Sequence, residues 1–362
     1  MILLLSMSNT TISDNTTVNR ALEALKARLP SGWGLRTRPK ARAGRYRPDS
    51  VVEIRAPDGT KGVLLIEAKS PLTAREASEF SLRIAPAVQE SAAAGALIVT
   101  RFASERAQDR LRRAGLSYLD LTGNAWINLE RPGLLIATQG ASKDPSPPRR
   151  GVRSLKGAKA ARLVRVLCDW RPPVGVRGLA ARAGTDPGYT SRVVTFLEDE
   201  DLVRRNANGQ VETVDWQGLL RRWSRDYDVA KTNRAVPFLA PRGLPAFTDR
   251  LRQYDGPYAL TGSLAVPASA SVAPGRLASC YVLDPERDAE RLDLRPVEVG
   301  ANVLLLEPFD PVVFEHSREE SGLMLVALTQ CAVDLLTGTG REPAEAESLL
   351  SWMADNEDAW RA

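Results

Sequence analysis

Histidine and cysteine are scarce in this chain of 362 residues. His316 is the only histidine, and the three cysteines, Cys168, Cys280 and Cys331, are far apart in the sequence. Zinc sites and disulfide frameworks need several such residues at short, paired spacings. The composition therefore excludes a disulfide framework and argues against a histidine-ligated metal site or a histidine-based catalytic triad. We interpret His316 as a surface loop residue.

Long apolar runs are also missing. A membrane-spanning helix needs about 20 consecutive apolar residues, and no run in the sequence approaches that length. The apolar start, Met1 to Leu5, is short and lacks a basic segment, so it does not resemble a signal peptide. We interpret it as a frayed tail, or as residues that precede a true start at Met7. These features predict a cytoplasmic protein with no membrane association.

The length and the distribution of charge indicate how the chain is organised. It is too long for one ordinary core, which predicts two or three domains. The net charge is +5, but residues 1–150 carry 23 basic and 14 acidic side chains, whereas residues 231–362 carry 12 and 20. Residues 151–230 carry 14 and 10. The excess of basic residues in the first two thirds predicts a polyanionic partner for that part of the chain. The acidic last third is expected to contact solvent, another part of the chain or a protein partner.

Two stretches rich in proline and glycine divide the chain. Gly140 to Gly157 contains three prolines and no apolar periodicity, which is typical of a linker, and a softer break lies at Asp228 to Pro245. We expect an α/β (α+β) multidomain protein. The predicted divisions are an N-terminal domain over 1–140, a linker over 141–156, a central domain over 157–228 and a C-terminal domain over 229–362.

The middle segment has the clearest pattern. Apolar spacing predicts three helices, at Lys159 to Trp170, Val176 to Ala183 and Pro187 to Glu200. Thr185 or Asp186 is the expected N-cap of the third helix, with Pro187 at a first helical position. Two strands, at Leu202 to Arg205 and Val211 to Val214, follow as a hairpin around Asn206 to Gly209.

The residues from Ala180 to Val203 closely resemble the winged helix-turn-helix of bacterial regulators of the IclR and MarR type. The resemblance implies that the third helix enters the major groove of double-stranded DNA and that the hairpin touches the backbone or minor groove. The candidate DNA-binding residues here are Arg177, Tyr189, Thr190, Ser191, Arg192, Arg204, Arg205 and Asn208. The alternative is a winged helix that makes only protein contacts.

A second basic segment lies near the N-terminus. Six cations fall between Arg36 and Arg47 with no acid among them, which is a composition that can neutralise phosphates. We take Arg38, Lys40, Arg42 and Arg45 as further candidate DNA contacts. The alternative is an ordinary solvated run of charge.

The N-terminal third resembles the PD-(D/E)XK nuclease superfamily. Pro48-Asp49 opens a strand, and after seventeen intervening residues Glu67-x-Lys69 ends the next strand. The resemblance implies that Asp49 and Glu67 hold Mg²⁺, and that Lys69 is the catalytic base or an electrostatic helper. Glu53 is a rival for the first carboxylate, and Glu23 could be an additional acid. Many members of this superfamily keep the fold without the chemistry, so we expect no cofactor unless the site is active.

Two further segments resemble antitoxins of the AbiEi type, from type IV toxin–antitoxin systems. One runs from Gly115 through Asp120 to Asn124, where we expect capping and turn-making rather than ligand binding. The other, Tyr258 to Ala265, is similar to the strand-turn-helix that opens nucleotidyltransferase-like folds. No acidic residue follows it until Asp284, so we expect no nucleotide transfer.

These patterns together predict a sequence-specific transcriptional regulator that binds operator DNA and represses transcription, with its own operon as a candidate target. The alternative is a Mg²⁺-dependent DNA endonuclease of a defence or mobile-element system. A third reading is an antitoxin that acts only through protein contacts. A cognate toxin, bound by the acidic C-terminal domain, and a second copy of the chain are the candidate further partners.

Overall fold

The computed structural model describes residues 16–38, 46–70, 72–146, 152 and 154–362. The protein is of the mixed α/β class, as expected. It forms two compact units, residues 1–150 with 197–201, and residues 151–196 with 202–362. Among the helices of the described residues, none is long and apolar enough to cross a membrane.

Unit 1 is built on a mixed sheet whose seven described strands follow one another in chain order. Strands β3, β4 and β5 are parallel, and the pairs on either side are antiparallel. The strands are β1 (Gly34–Arg38), β2 (Ser50–Arg55), β3 (Lys61–Ala68), β4 (Gly95–Thr100), β5 (Ser117–Asp120), β6 (Ala125–Leu129) and β7 (Leu134–Thr138). The helices are α1 (16–26), α2 (Ala74–Glu90) and α3 (Glu105–Arg113).

Helices cover both faces of this sheet. Leu25 of α1 packs in one core with Val52 and Ile66, whereas Phe80 of α2 packs in the other with Leu65. Successive strand residues point to opposite faces, so burial on both faces requires the near-continuous apolar runs seen in β3 and β4. The same alternation places Glu67 on the face of Leu65, under α2.

Unit 2 begins with the segment predicted as three helices and a hairpin, except that Leu197–Asp201, at the end of the third helix, groups with unit 1. The elements are α4 (Ala158–Asp169), α5 (Val176–Arg182), α6 (Pro187–Asp199), β8 (Val203–Arg205), β9 (Val211–Val214) and α7 (Trp216–Trp223). Each predicted helix and strand is confirmed to within one or two residues. The sequence analysis missed one pairing: Val174 and Val211 exchange backbone hydrogen bonds of 3.0 and 2.9 Å, which adds a short strand to the hairpin.

The rest of unit 2 is a second mixed sheet with helices. Its strand order is β13-β10-β14-β12-β11-β16-β15. The strands are β10 (Arg234–Leu239), β11 (Tyr258–Thr261), β12 (Ala278–Val282), β13 (Arg295–Pro296), β14 (Val303–Glu307), β15 (Arg318–Glu320) and β16 (Leu323–Leu325). The helices are α8 (Val229–Thr232), α9 (Gly243–Arg252), α10 (Pro285–Arg291), α11 (Leu328–Leu336), α12 (Glu342–Asp355) and α13 (Glu357–Trp360).

The apolar patterns of the sequence predict single helices at Leu323 to Leu336 and at Ala344 to Trp360, and the structure corrects both. The apolar run from Leu323 to Leu336 is not one helix, because its first residues form β16, beside β11, and the helix begins at Leu328. The stretch from Ala344 to Trp360 is interrupted at Asn356, whose backbone is not helical. The stretch from Asp228 to Pro245, predicted as a softer break, contains α8, β10 and the start of α9, and both of its sides belong to unit 2. Pro237 lies in β10 beyond the two positions where β13 pairs, so its missing N–H removes no hydrogen bond to β13.

The predicted linker is anchored at both ends. Asp144 accepts two hydrogen bonds from Arg101, of 2.7 and 2.8 Å, within unit 1. Leu155 is buried in unit 2, and its backbone N–H donates to Asp226 at 2.7 Å. Residues 147–151 and 153 lie outside the described residues. The ends of this segment therefore belong to the folded units themselves.

Candidate nucleic-acid interface and carboxylate cluster

The start of α6 is held by a side-chain cap. Oδ1 of Asp186 accepts the backbone N–H of Tyr189 at 2.7 Å, and this hydrogen bond lowers the pKa of the Asp186 carboxyl. Of the two N-caps considered, Asp186 is thus the one that caps the helix. Arg192 is exposed on this first part of α6, and Tyr189 and Ser191 are half-buried. These three side chains remain candidates for contact with a ligand.

Thr190 does not belong with them. Its side chain is fully buried, and its hydroxyl bonds to the Asp186 carbonyl at 3.0 Å and to Thr185 Oγ1 at 2.8 Å. Thr190 lies three and four residues before Val193 and Val194, on the inward face of the helix. We therefore withdraw Thr190 from the predicted base contacts, since it holds the turn to the helix instead.

The hairpin after α6 presents further polar groups. Oδ1 of Asn206 accepts the backbone N–H groups of Asn208, at 3.0 Å, and Gln210, at 3.1 Å. Gly209 has a φ of 74°, a conformation that favours glycine. This turn leaves Asn208 exposed at the tip, with Arg204 exposed and Arg205 half-buried on β8.

The remaining predicted DNA contacts are in two places. Arg177 is exposed on α5, in the same helical segment of unit 2 as Arg192. Arg38, in unit 1, forms an ion pair with Glu53 on the neighbouring strand. Lys40, Arg42 and Arg45 lie outside the described residues. Among the predicted DNA contacts that the structure describes, Arg177, Arg192 and Arg204 are therefore the exposed cations of unit 2.

The second candidate site is a cluster of carboxylates at one end of β2 and β3. Oδ2 of Asp49, just before β2, accepts the backbone N–H of Ala68 at the end of β3, at 2.8 Å. Glu67 is buried beside it and accepts a hydrogen bond from the Tyr46 hydroxyl. The two strands thus bring Asp49 and Glu67 together as the sequence spacing predicts.

The environment of Glu67 disfavours its charged form. Burial raises its pKa to about 7, and the neighbouring Asp49 acts in the same direction. The hydroxyl of Tyr46 and the guanidinium of Arg83, on α2, act against this rise. Burial and the hydrogen bond to Glu67 raise the pKa of Tyr46 as well. Burial therefore favours the protonated form of Glu67 at higher pH than for an exposed carboxyl, and a bound cation would favour its charged form.

The other residues proposed for this site, Lys69, Glu53 and Glu23, lie in different surroundings. Lys69 is half-buried, and its ammonium has no ion-pair partner among residues 16–38, 46–70, 72–146 and 154–362. Glu53 is engaged elsewhere, by Arg38 and by Lys61 at 3.1 Å. Hydrogen bonding from Lys61 lowers the Glu53 pKa. Glu23 is exposed on α1, which packs on the other face of the sheet. Asp49 is thus the carboxylate that adjoins Glu67.

This donor set suits Mg²⁺, which is commonly held by one or two carboxylates with water and phosphate oxygens completing its shell. Within the part of the chain that the structure describes, no group of three or more His, Cys, Asp or Glu side chains is assembled. Sequence reasoning missed Tyr46 and Arg83. Tyr46 stands three residues before Asp49, but the position of Arg83 depends on how α2 packs, which no spacing encodes.

The segment around Asp120 is structural. This buried carboxylate accepts the backbone N–H groups of Ala103, Thr122 and Asn124, at 3.0, 2.8 and 3.0 Å, and the Asn124 side-chain amide at 2.8 Å. Gly123 has a φ of 110°, and the Asn124 oxygen accepts the N–H of Gly140. The predicted turn-making role of Asp120 and Asn124 is confirmed by these bonds.

The chain was also compared with known proteins. Its sequence matches no model of a known protein family, and no curated protein matches it. A functional conclusion must therefore come from the sites themselves.

Proposed function

We propose that this protein is a sequence-specific transcriptional regulator that binds double-stranded operator DNA through residues 157–228. The observation that carries the proposal is the start of α6, where a helix capped by Asp186 exposes Arg192 and is followed by a hairpin that bears Arg204 and Arg205. Arginine in this position can form two parallel hydrogen bonds with a guanine edge in the major groove.

The geometry between α5 and α6 supports a helix-turn-helix. Gly184, with a φ of 57°, reverses the chain after α5, and the Thr185 N–H donates to the Ala180 carbonyl at 2.9 Å. Leu179 of α5 and Val193 of α6 are fully buried. The inner faces of the two helices are apolar, so the polar start of α6 is left for a partner.

The hairpin of β8 and β9 has the features expected of the wing in a winged helix. Its pairing with Val174 makes a small sheet of three extended segments, which is sturdier than an isolated two-stranded hairpin. Positive side chains on such a rigid element can contact phosphates without a large loss of conformational freedom. Arg204 and Arg205 are the phosphate-binding residues that we assign to it.

The other regions are proposed to support this activity. Unit 1 would be a nuclease-like scaffold, and the region after residue 228 an antitoxin-like, degenerate nucleotidyltransferase-like domain with an acidic surface for a cognate toxin. The excess of acidic side chains over residues 231–362 supports a protein partner rather than DNA for that region.

The direct test is a selection experiment on the full-length protein. Duplexes chosen from a random pool should bind about a thousandfold more tightly than a scrambled duplex of equal length, as measured by fluorescence anisotropy. Affinity should fall steeply as salt is raised, because bound phosphates release counterions. Equal affinity for selected and scrambled duplexes would contradict sequence-specific regulation.

A second candidate function is Mg²⁺-dependent DNA cleavage, in cytoplasmic defence or on a mobile element. The adjacency of Asp49 and Glu67, with Lys69 two residues beyond Glu67 in the sequence, favours it. Asp49 and Glu67 would hold the metal, which when bound activates water and stabilises negative charge on phosphorus. Lys69 would neutralise the phosphate or position the water. We rank this function second because Asp49 already accepts the backbone N–H of Ala68, and burial disfavours the charged form of Glu67 that a metal needs.

A further inference from the structure

A cavity of about 220 Å³ lies in unit 2, where β11 and β12 meet α8 and the beginning of α12. Its walls include apolar side chains of Val229, Leu277 and Leu304 and the carboxylates of Asp334 and Glu342. Liquid water occupies about 30 Å³ per molecule, so the space holds roughly seven water-sized groups. A compact organic molecule fits these dimensions.

Gly262 lines this cavity and, having no side chain, leaves a gap in its wall. It follows β11 with a φ of 65°, a conformation that side chains rarely adopt. A methyl group at this position would lie 3.3 Å from Oε1 of Glu342 and 3.7 Å from Oγ of Ser279. The absence of a side chain thus leaves a space that two oxygen atoms flank.

Both of these oxygens are available. Oε2 of Glu342 accepts the backbone N–H of Thr339 at 2.9 Å, but Oε1 has no hydrogen-bond partner among the described residues. The Ser279 hydroxyl likewise has no partner in the part of the chain that the structure describes. An N–H group placed above Gly262 could donate to both oxygens.

The charge of the wall favours a cation. Lys231 is paired with Asp228 at 2.8 Å, so these two residues offset each other. Within the described part of the chain Glu342 forms no ion pair; burial and the nearby Glu345 raise its pKa, whereas the Thr339 N–H and the charge of Arg341 act against this rise. Glu345 is itself buried, and its Oε1 has no hydrogen-bond partner within the described chain. A positively charged ligand would compensate this local excess of carboxylates.

A buried chain of hydrogen bonds leads from the cavity to α4. Asp334, in the wall, accepts the side-chain amide of Gln330 at 2.9 Å, and Gln330 accepts a guanidinium N–H of Arg165 at 3.1 Å. Arg165 belongs to the first helix of the proposed winged helix. A ligand that displaces Asp334 therefore acts on groups that also position α4.

We propose that this cavity binds a compact organic cation with an apolar body, that Glu342 and Ser279 hold its N–H groups, and that binding alters the affinity of the protein for DNA. The last part of this proposal rests on the proposed DNA-binding function, whereas the ligand site does not. The site is built from residues 80 positions apart in the sequence, which is why the segment from Tyr258 to Ala265 alone did not reveal it.

The first experiment measures ligand binding without DNA. Benzamidine is a suitable probe because its amidinium can donate to a carboxylate and its ring suits the apolar walls. Isothermal titration calorimetry on the full-length protein should detect benzamidine but not benzoate, which has the same shape and the opposite charge. Glu342→Gln should weaken benzamidine binding by about tenfold or more, because it removes a charge-assisted hydrogen bond.

Glu347→Gln is the matched control, since Glu347 is an exposed carboxylate of the same helix α12. It should leave benzamidine binding unchanged. A circular dichroism spectrum and an unfolding curve for each variant separate a lost site from a lost fold. Failure of the wild type to bind benzamidine at millimolar concentration, or equal binding by Glu342→Gln, would overturn the site.

The second experiment measures regulation. Saturating benzamidine should change the affinity for the selected duplex, and the duplex should change the affinity for benzamidine by the same factor. Gln330→Met should reduce that factor toward one while both separate affinities persist. Benzamidine binding that leaves DNA affinity untouched would overturn regulation alone, whereas the absence of specific DNA binding without benzamidine would overturn the proposed function instead.

Discussion

The guanidinium of Arg165 in α4 donates a hydrogen bond to Oε1 of Gln330 in α11, at 3.1 Å, although the two residues are 165 positions apart. Arg165 is 1% exposed, and it also bonds to Asp169 at 3.0 Å and to the carbonyls of Val312 at 3.1 Å and Glu315 at 2.8 Å. This buried network joins the helices on both sides of the predicted boundary at residue 228. The two regions consequently share one compact unit.

Arg165→Ala should reduce the free energy of unfolding of unit 2 by about 3–5 kcal/mol, since it leaves the buried Asp169 without its cation. The measurement is urea denaturation followed by tryptophan fluorescence, which reports mainly on unit 2 because five of the seven tryptophans lie there. Arg171→Ala, which breaks an exposed ion pair with Asp358, should change stability by about 1 kcal/mol or less. Similar losses for both variants would contradict a structural role of the buried network.

Arg192→Ala should weaken binding to the selected duplex by about 1–3 kcal/mol and relax specificity, because this side chain is proposed to read a base edge. Arg204→Ala should weaken all duplexes alike and flatten the dependence of affinity on salt, as expected for a phosphate contact. Anisotropy titrations with selected and scrambled duplexes distinguish the two. Equal losses on both duplexes for Arg192→Ala would remove it from the recognition surface.

Thr190→Val should leave DNA specificity unchanged, because the threonine side chain is buried and bonded to Asp186 and Thr185. Loss of its hydrogen bonds should instead cost about 1 kcal/mol of stability. The same titrations and denaturation curves measure both effects, with wild type as the reference. A change in base preference with no change in stability would restore Thr190 to the interface.

Glu67 should make unit 1 less stable as the pH rises. Its pKa is about 7 in the folded protein against an ordinary value of 4.5, so the folded state binds more protons between these pH values. Stability contributed by the protonated carboxyl is therefore present below about pH 4.5 and is lost progressively up to about pH 7. Glu67→Gln should remove this slope, as measured by thermal unfolding across pH in EDTA; a parallel slope in both proteins would contradict the raised pKa.

We expect the purified protein not to cleave DNA in Mg²⁺ or Mn²⁺. If the site is active, EDTA should abolish cleavage of plasmid or branched DNA, and Lys69→Ala should remove turnover while leaving binding nearly intact, because the ammonium would act on the transition state. Lys61→Ala is the control, since that lysine pairs with Glu53 outside the cluster. Metal-dependent cleavage that Lys69→Ala eliminates would place the nuclease function first.

Local patterns predicted much of the secondary structure. Helix periodicity, the cap before Pro187 and the hairpin turn placed α4 to α6, β8 and β9 closely, because these signals depend on residues near one another in sequence. The Asp49, Glu67 and Lys69 spacing likewise placed two carboxylates together, since adjacent antiparallel strands bring their opposite ends to one edge.

The tertiary structure decided the rest. Three features depend on neighbours that sequence spacing does not specify. Thr190 is buried, and Glu53 is paired with Arg38 and Lys61. The predicted helices are also interrupted, at the residues before Leu328 and at Asn356. The cavity beside Gly262 also depends on tertiary packing, because Glu342, at the start of α12, lies next to Gly262 only in the folded protein. The sequence by itself determined the helices and strands of the segment from α4 to β9 and where charge concentrates. Only packing determined which polar groups are buried and bonded and which remain available, because desolvation depends on every element that surrounds a side chain.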